Sequence, residues 1–222
     1  MNRPSDQADR PASDERLLAD FLAGNEAAFT VLVERYSAEL FLFVARFVGS
    51  SAAAEDVIQE TFVQLYQSAA GFDPGRRFRP WLFTIAANKA RDFLRSRMRR
   101  RELSLSGGAG ADGTDAVTYL DFMAEASATP AEELETHEQQ EVVRQVVAGM
   151  PDSLREILVL GYFHRLAYKE MAEILGIPLG TVKSRLHAAV SYFATAYKRQ
   201  EEERGGEPEP PRRSSRRGDG TA

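Results

Sequence analysis

Residues 168–187 hold the side chains best suited to chemistry, namely cations and hydroxyls at helical spacing. The segment reads YKEMAEILGIPLGTVKSRLH, and its last turns carry Lys183, Ser184, Arg185 and His187. Such groups on the exposed first turns of a helix can reach phosphates and base edges in a DNA major groove. Thr181 is a favourable N-cap residue, so we expect the helix to begin there.

The first half of this segment predicts a shorter helix that positions the second one. Met171, Ala172 and Leu175 recur at helical spacing and therefore share one face. Gly176 ends a helix at little cost in the left-handed conformation, and Pro178 prevents its continuation. Two short helices joined by a tight turn indicate a DNA-reading helix-turn-helix. An ordinary helical hairpin with a solvated basic face is the alternative.

A second basic segment, residues 76–101, mixes arginines with aromatic residues. Cations neutralise phosphates and aromatic faces stack on unpaired bases, so this composition suits single-stranded or melted DNA. Part of the segment has a simpler explanation, because Trp81, Leu82, Ile85 and Phe93 fit core positions and the last arginines fit a charged helix end. We expect DNA contact from most of the cations and burial of most of the aromatics.

An acidic helix over about residues 52–70 precedes this basic segment. Asp56 and Glu60 are four residues apart and lie on one face, where like charges slightly destabilise an isolated helix. A basic partner surface would turn that cost into a gain. A solvated acidic face near a helix N-terminus, which the helix dipole favours, is the alternative.

Catalysis and cofactor binding find no support in the sequence. His137, His164 and His187 are scattered without metal-ligand spacing, and no glycine-rich phosphate loop follows a strand. The chain has no cysteine, which excludes disulfides and fits a reducing cytosol. No apolar run approaches the about 18 residues that span a membrane. We expect a cytoplasmic protein that is not an enzyme, with no cofactor, no metal and no membrane insertion.

Helical periodicity divides the 222 residues into two small domains of an all-α fold. The net charge of −5 hides a block structure, in which bases dominate residues 89–101 and acids dominate residues 102–141. We predict a disordered N-terminus over 1–13, a helical domain over 14–101, a flexible acidic linker over 102–129, a second helical domain over 130–199 and a disordered tail over 200–222.

Four segments in combination resemble the extracytoplasmic-function (ECF) sigma factors, a group of the bacterial sigma-70 family. They are AAEDVIQETFVQLY, FRPWLFTIAANKARDFLRSR, MPDSLREILVL and YKEMAEILGIPLGTVKSRLH, in that order and at the family's spacing. The resemblance covers residues 15–100, called region 2, and residues 130–198, called region 4. It implies a non-catalytic subunit that binds core RNA polymerase and aims it at promoter DNA. It also implies an anti-sigma factor as a regulatory partner.

The resemblance assigns roles to three groups of residues. Binding to core polymerase falls to Asp56, Gln59, Glu60 and Phe62. Recognition and opening of the −10 element fall to Phe72, Arg76, Arg77, Asn88, Lys89, Arg91, Asp92 and Arg95. Recognition of the −35 element falls to Thr181, Lys183, Ser184, Arg185 and His187.

Two segments depart from the family pattern. Family members often continue the recognition helix as His-Arg-Ala-Arg, whereas residues 187–190 read HAAV, which predicts fewer phosphate contacts there. The −35 affinity is then either weaker or supplied by Lys198 and Arg199 instead. Residues 161–165 are unusually aromatic, which fits either a core segment or a docking surface for an inhibitor.

Two rival functions stay open at this stage. A stand-alone helix-turn-helix regulator would bind an operator as a dimer without polymerase, and an interaction protein would sequester a partner through the acidic linker. The first leaves the acidic helix and the basic-aromatic segment without a role.

Overall fold

The computed structural model describes residues 12–105 and 130–205, and the regular elements of these two ranges are all helical. This confirms the all-α prediction, while most of the predicted N-terminus, linker and tail lies outside the described residues. The helices are α1 (Asp14–Leu22), α2 (Glu26–Val48), α3 (Ser51–Ser68), α4 (Phe78–Leu105), α5 (Pro130–Ala148), α6 (Asp152–Leu158), α7 (Tyr168–Leu175) and α8 (Leu179–Gly205).

Helices α1–α4 form the first domain, and local signals set their ends. The Ser13 hydroxyl accepts a hydrogen bond from the backbone N–H of Arg16 at the start of α1. Gly49, at φ 78°, ends α2 in the left-handed conformation, and the Ser50 hydroxyl then caps α3. The core between the helices is rich in fully buried aromatic rings, which are Phe43, Phe47, Phe78 and Phe83.

Helices α5–α8 form the second domain, whose helix-turn-helix is made by α7 and α8. Gly176 ends α7 at φ 63°, as predicted. Met171 on α7 and Val182 on α8 are fully buried, whereas Ala172 is only partly buried.

The prediction that Thr181 caps the second helix of this motif is wrong. Helix α8 begins at Leu179, and the Pro178 carbonyl accepts hydrogen bonds from the N–H groups of Thr181 and Val182 at 2.9 and 3.0 Å. A backbone carbonyl of the residue before the helix therefore starts the hydrogen-bond ladder, so Thr181 lies inside the first turn.

Both long helices extend past their predicted ends. Helix α4 runs to Leu105, and α8 runs to Gly205 instead of stopping near residue 199. Ion pairs one turn apart favour the extension of α8: Lys198 lies 3.7 Å from Glu202, and Arg199 lies 3.2 Å from Glu203. The predictions of a flexible linker from residue 102 and of disorder from residue 200 are therefore wrong for residues 102–105 and 200–205.

The second domain packs directly against the first, so that one cluster of buried residues continues through both. Helix α7 lies against α4, while α5, α6 and a π-helical turn over residues 159–163 lie against α2. Arg155 of α6 is buried, and its guanidinium donates a hydrogen bond to the Phe47 carbonyl at 3.1 Å. In the two described ranges, no helix is both long enough and apolar enough to cross a membrane.

Candidate nucleic-acid and polymerase interfaces

The acidic face of α3 is open to solvent. Asp56, Gln59 and Glu60 are exposed and line a shallow groove of about 410 Å³. Phe62 differs from them, because its ring is partly buried against the first domain's core. Glu60 already has one basic partner within the chain, because its carboxylate lies 3.4 Å from the Lys89 ammonium of α4.

The loop between α3 and α4 presents two arginines. The Asp73 carboxylate accepts a hydrogen bond from the backbone N–H of Gly75 at 2.8 Å, which tightens the turn. Phe72 packs on Trp81, with ring centroids 4.7 Å apart, and so ties the loop to α4. Arg76 and Arg77 stand exposed at the loop's end.

The following helix face carries the remaining residues that we assigned to the −10 element. Asn88 is exposed, and its side-chain oxygen accepts a hydrogen bond from Arg91 at 2.6 Å. Asp92 lies 3.2 Å from Arg95, so this acid holds a neighbouring cation. Lys89 is shared with the acidic face through Glu60. The polar residues thus form one continuous surface.

The aromatic and aliphatic residues of this segment are mostly structural, as predicted. Leu82 and Phe83 are fully buried, and Trp81, Ile85 and Phe93 are partly buried against the core.

The second helix of the helix-turn-helix exposes most of the side chains assigned to the −35 element. Lys183, Ser184 and His187 are exposed, while Arg185 is partly buried. Arg185 lines a cleft between the two domains, together with Arg91 and Glu156. Burial raises the pKa of Glu156, and the guanidinium of Arg91 and, more weakly, that of Arg185 oppose this rise.

A buried polar cluster joins the domains at His164, a residue that the sequence connected to no partner. Its ring lies edge-on to Phe43 and Phe83, with centroids 5.7 and 5.6 Å away. Nδ1 is 3.6 Å from the Glu39 carboxylate, which also accepts a hydrogen bond from Arg79. Burial opposes the ionisation of Glu39, but His164 and Arg79 outweigh it and lower its pKa to about 2.

The aromatic segment over residues 161–165 is therefore divided between surface and interface. Tyr162 is 74% exposed. Phe163 is covered by Arg46, whose guanidinium carbon lies 4.6 Å from the centre of the Phe163 ring. His164 is buried in the interface described above. Arg165 follows at φ 49°, a conformation that turns the chain towards α7.

Several arginines assigned to DNA contact pair with glutamates of the second domain. Arg76 donates to Glu173 at 3.0 and 2.5 Å, and Arg77 donates to Glu170 at 3.2 Å. Arg91 donates to both carboxylate oxygens of Glu156 at 3.0 and 3.2 Å.

No sequence pattern indicated these glutamate partners. They lie 97, 93 and 65 residues from their arginines, beyond the reach of any helical spacing rule. Only the packing of the two domains brings them together. Among the residues whose side chains are described, no group of acids and histidines could hold a metal ion.

The comparisons with known proteins agree with this geometry. The family models for Sigma-70 region 2 and for Sigma-70, region 4 match residues 32–100 and 140–191. The chain is 32% identical to the ECF RNA polymerase sigma factor SigW of Bacillus subtilis over 164 residues, which is 74% of this chain and 86% of SigW. The chain belongs to the ECF sigma factors.

Solved structures share the fold of this sigma factor. CnrH in complex with the cytosolic domain of CnrY is similar, with a TM-score of 0.59 and 26% identity over 85% of this chain and 99% of that chain. RpoE of Bartonella quintana, solved with the anti-sigma factor NepR, has the same fold, with a TM-score of 0.59 and 22% identity over 77% and 96% of the two chains. The first domain is thus region 2 and the second is region 4.

Proposed function

We propose that this sigma factor divides its work among three surfaces. Core RNA polymerase binds the acidic face of α3 around Asp56, Gln59 and Glu60, with Phe62 as a partly buried apolar contact. The −10 element binds the region 2 surface that runs from the Arg76 loop along α4. The −35 element binds the first turns of α8. The presence of an exposed acidic face and of two exposed polar or basic surfaces within the two matched regions carries this proposal.

The residues on α8 have unequal roles. Lys183, Ser184 and His187 are exposed and can reach phosphates and base edges, while Arg185 must first leave the interdomain cleft. Thr181 lies in the first turn and can contribute a hydroxyl to a phosphate, although it does not cap the helix. The absence of arginines at positions 188–190, directly after His187, predicts a modest −35 affinity.

The protein works without catalysis of its own and acts in the cytoplasm, where polymerase and promoters are. An anti-sigma factor keeps it inactive until a signal arrives. The family resemblance supports this partner, as does similarity to CnrH, which was solved with the cytosolic domain of CnrY. Purification of the tagged native chain from its own cells tests for this anti-sigma partner. We expect a protein that co-purifies in stoichiometric amount and blocks transcription.

Run-off transcription with core polymerase and a promoter library tests the function. The wild type is expected to direct initiation at a subset of promoters, and Lys183→Ala with Arg185→Ala is expected to lower initiation at promoters that need their −35 element. Glu202→Gln with Glu203→Gln, on the same helix but far from its first turns, is the matched control. Operator binding by a dimer, with no initiation at any promoter, would instead indicate a stand-alone regulator.

A further inference from the structure

Acidic side chains of region 4 contact the basic surface of region 2. Glu173 and Glu170 of α7 hold Arg76 and Arg77, and the partly buried Arg91 is paired with Glu156 of α6. These arginines come from the loop and the helix that we assigned to the −10 element. A carboxylate and a phosphate both offer a guanidinium two oxygens that can accept a pair of hydrogen bonds. The glutamates therefore occupy guanidinium groups that we assigned to DNA contact.

The same arrangement brings together two arginines that we assigned to different promoter elements. Arg91 of region 2 and Arg185 of region 4 both line the interdomain cleft of about 620 Å³. The −10 and −35 elements are about 25 base pairs apart, which corresponds to about 85 Å along the duplex axis. One cleft cannot contact both elements, so the two regions must separate before the promoter is bound.

The polymerase-binding surface stays free in the closed arrangement. Asp56, Gln59 and Glu60 are exposed on α3, away from the residues that contact region 4. Polymerase can therefore bind the closed chain first and separate the regions afterwards. The ion pairs of Arg76 and Arg77 are partly exposed and thus individually weak, so a competing surface can displace them.

We propose that Glu156, Glu170 and Glu173 form an internal DNA mimic that keeps the free sigma factor closed and masks its −10 surface. This inference rests on the proposed function, because it takes Arg76, Arg77 and Arg91 as DNA contacts. His164, inserted between Phe43 and Phe83, fixes the position of region 4 on region 2. The glutamates then determine which surface is covered.

A double substitution on α7 separates masking from folding. Glu170→Gln with Glu173→Gln removes both charges. The Glu170 carboxylate also accepts a hydrogen bond from the Ala167 N–H at 2.9 Å, and a glutamine side-chain oxygen at that position can still accept it. Glu202→Gln with Glu203→Gln removes the same charge from the far end of α8 and is the matched control. Thermal unfolding of each variant verifies that both regions remain folded.

The distance between the regions is the first measurement. The chain has no cysteine, so Ala38→Cys on α2 and Ala194→Cys on α8 give two unique spin-label sites on exposed positions. We expect one short distance in the full-length wild type and in the control. The α7 variant is expected to add a longer component, as is the wild type when core polymerase is added. Identical distances in all four samples would overturn the proposal.

The affinity of the full-length chain for a single-stranded 12-mer of mixed sequence is the second measurement, made at low salt. Unmasking raises the competent fraction, so the α7 variant is expected to bind about three to ten times more tightly than the wild type. The control is expected to bind like the wild type, which separates unmasking from a general change in net charge. Equal tightening in the variant and the control would overturn masking.

A failure of the proposed function looks different. Arg76→Ala with Arg77→Ala tests those contacts directly in run-off transcription with saturating core polymerase, which has already opened the chain. Unchanged initiation there would remove these arginines from the −10 surface, and the masking role would fall with them. Suppose instead that Arg76→Ala with Arg77→Ala reduces initiation while the α7 variant stays closed. The two arginines would then remain DNA contacts, and only the proposal that the glutamates mask them would be overturned.

Discussion

Regions 2 and 4 bury their cores with different residues. The largest fully buried side chains of region 2 include four phenylalanines, whereas those of region 4 are Ile157, Leu160 and Met171. Region 4 is also partly covered by region 2, because His164 packs on two region 2 rings and Arg155 donates a hydrogen bond to a region 2 carbonyl. Region 2 therefore packs mainly on itself, while region 4 packs partly on region 2.

The largest effect should come from Phe43→Ala, which tests whether region 2 supports both domains. Phe43 is completely buried, with 0% of its surface accessible, and its ring contacts Phe83 and His164. Truncating such a core phenylalanine costs about 3 to 5 kcal/mol. Denaturant unfolding should show this loss in probes of both regions, whereas Val63→Ala, at an exposed position of α3, should change little.

Met171→Ala makes the opposite test, because it empties a fully buried position inside region 4. A core methionine truncated to alanine costs about 2 to 5 kcal/mol. Amide hydrogen exchange should accelerate in α7 and α8 and remain slow in α3, since region 2 keeps its own aromatic core. Equal acceleration in α3 would contradict the asymmetry between the two regions.

Much of this asymmetry was outside the reach of sequence patterns. Helical spacing predicted the helices of both regions, and the burial of Leu82 and of most aromatics in α4, because those signals are local. The helix-turn-helix followed from Gly176 and from the basic residues after it. The starting residue of α8 was missed, because Thr181 is a good cap in isolation and only the Pro178 carbonyl shows that the helix begins earlier.

The partner residues of the candidate site depended on tertiary contacts. His164 looked like an isolated histidine, yet it lies beside Glu39, which is far away in the chain. Arg91 and Glu156 both belong to family-like segments, but no rule of spacing connects them across 65 residues. Sequence reasoning found Arg76, Arg77 and Arg91 and could not find the region 4 glutamates that pair with them.

Acid should weaken the contact between the regions through Glu39. Its pKa is lowered to about 2 from the usual 4.5, so its ionised form stabilises the fold above pH 4.5 and that stabilisation is lost as the pH falls from 4.5 towards 2. Glu39→Gln should lower the free energy of unfolding at pH 7 by about 1 to 2 kcal/mol, since Glu39 is partly exposed. The difference between the wild type and the variant should shrink as the pH falls through this window.

Unfolding curves at several pH values check this expectation. Glu34→Gln, at an exposed position of α2, serves as the control for removal of one charge from the same helix. The role of Glu39 would be contradicted by a wild-type minus Glu39→Gln difference that stays constant from about pH 5 to about pH 2.5.

The smallest effect should distinguish how α3 and α8 begin. The Ser50 hydroxyl accepts a hydrogen bond from the Ala53 N–H at 3.3 Å, so Ser50→Ala should destabilise region 2 by about 1 kcal/mol. Ser51→Ala, one residue further on, is the control and should be nearly neutral. Thr181→Ala should also leave stability almost unchanged, because a backbone carbonyl starts α8. Any loss of initiation in that variant would therefore report the DNA contact of Thr181 rather than a weakened helix.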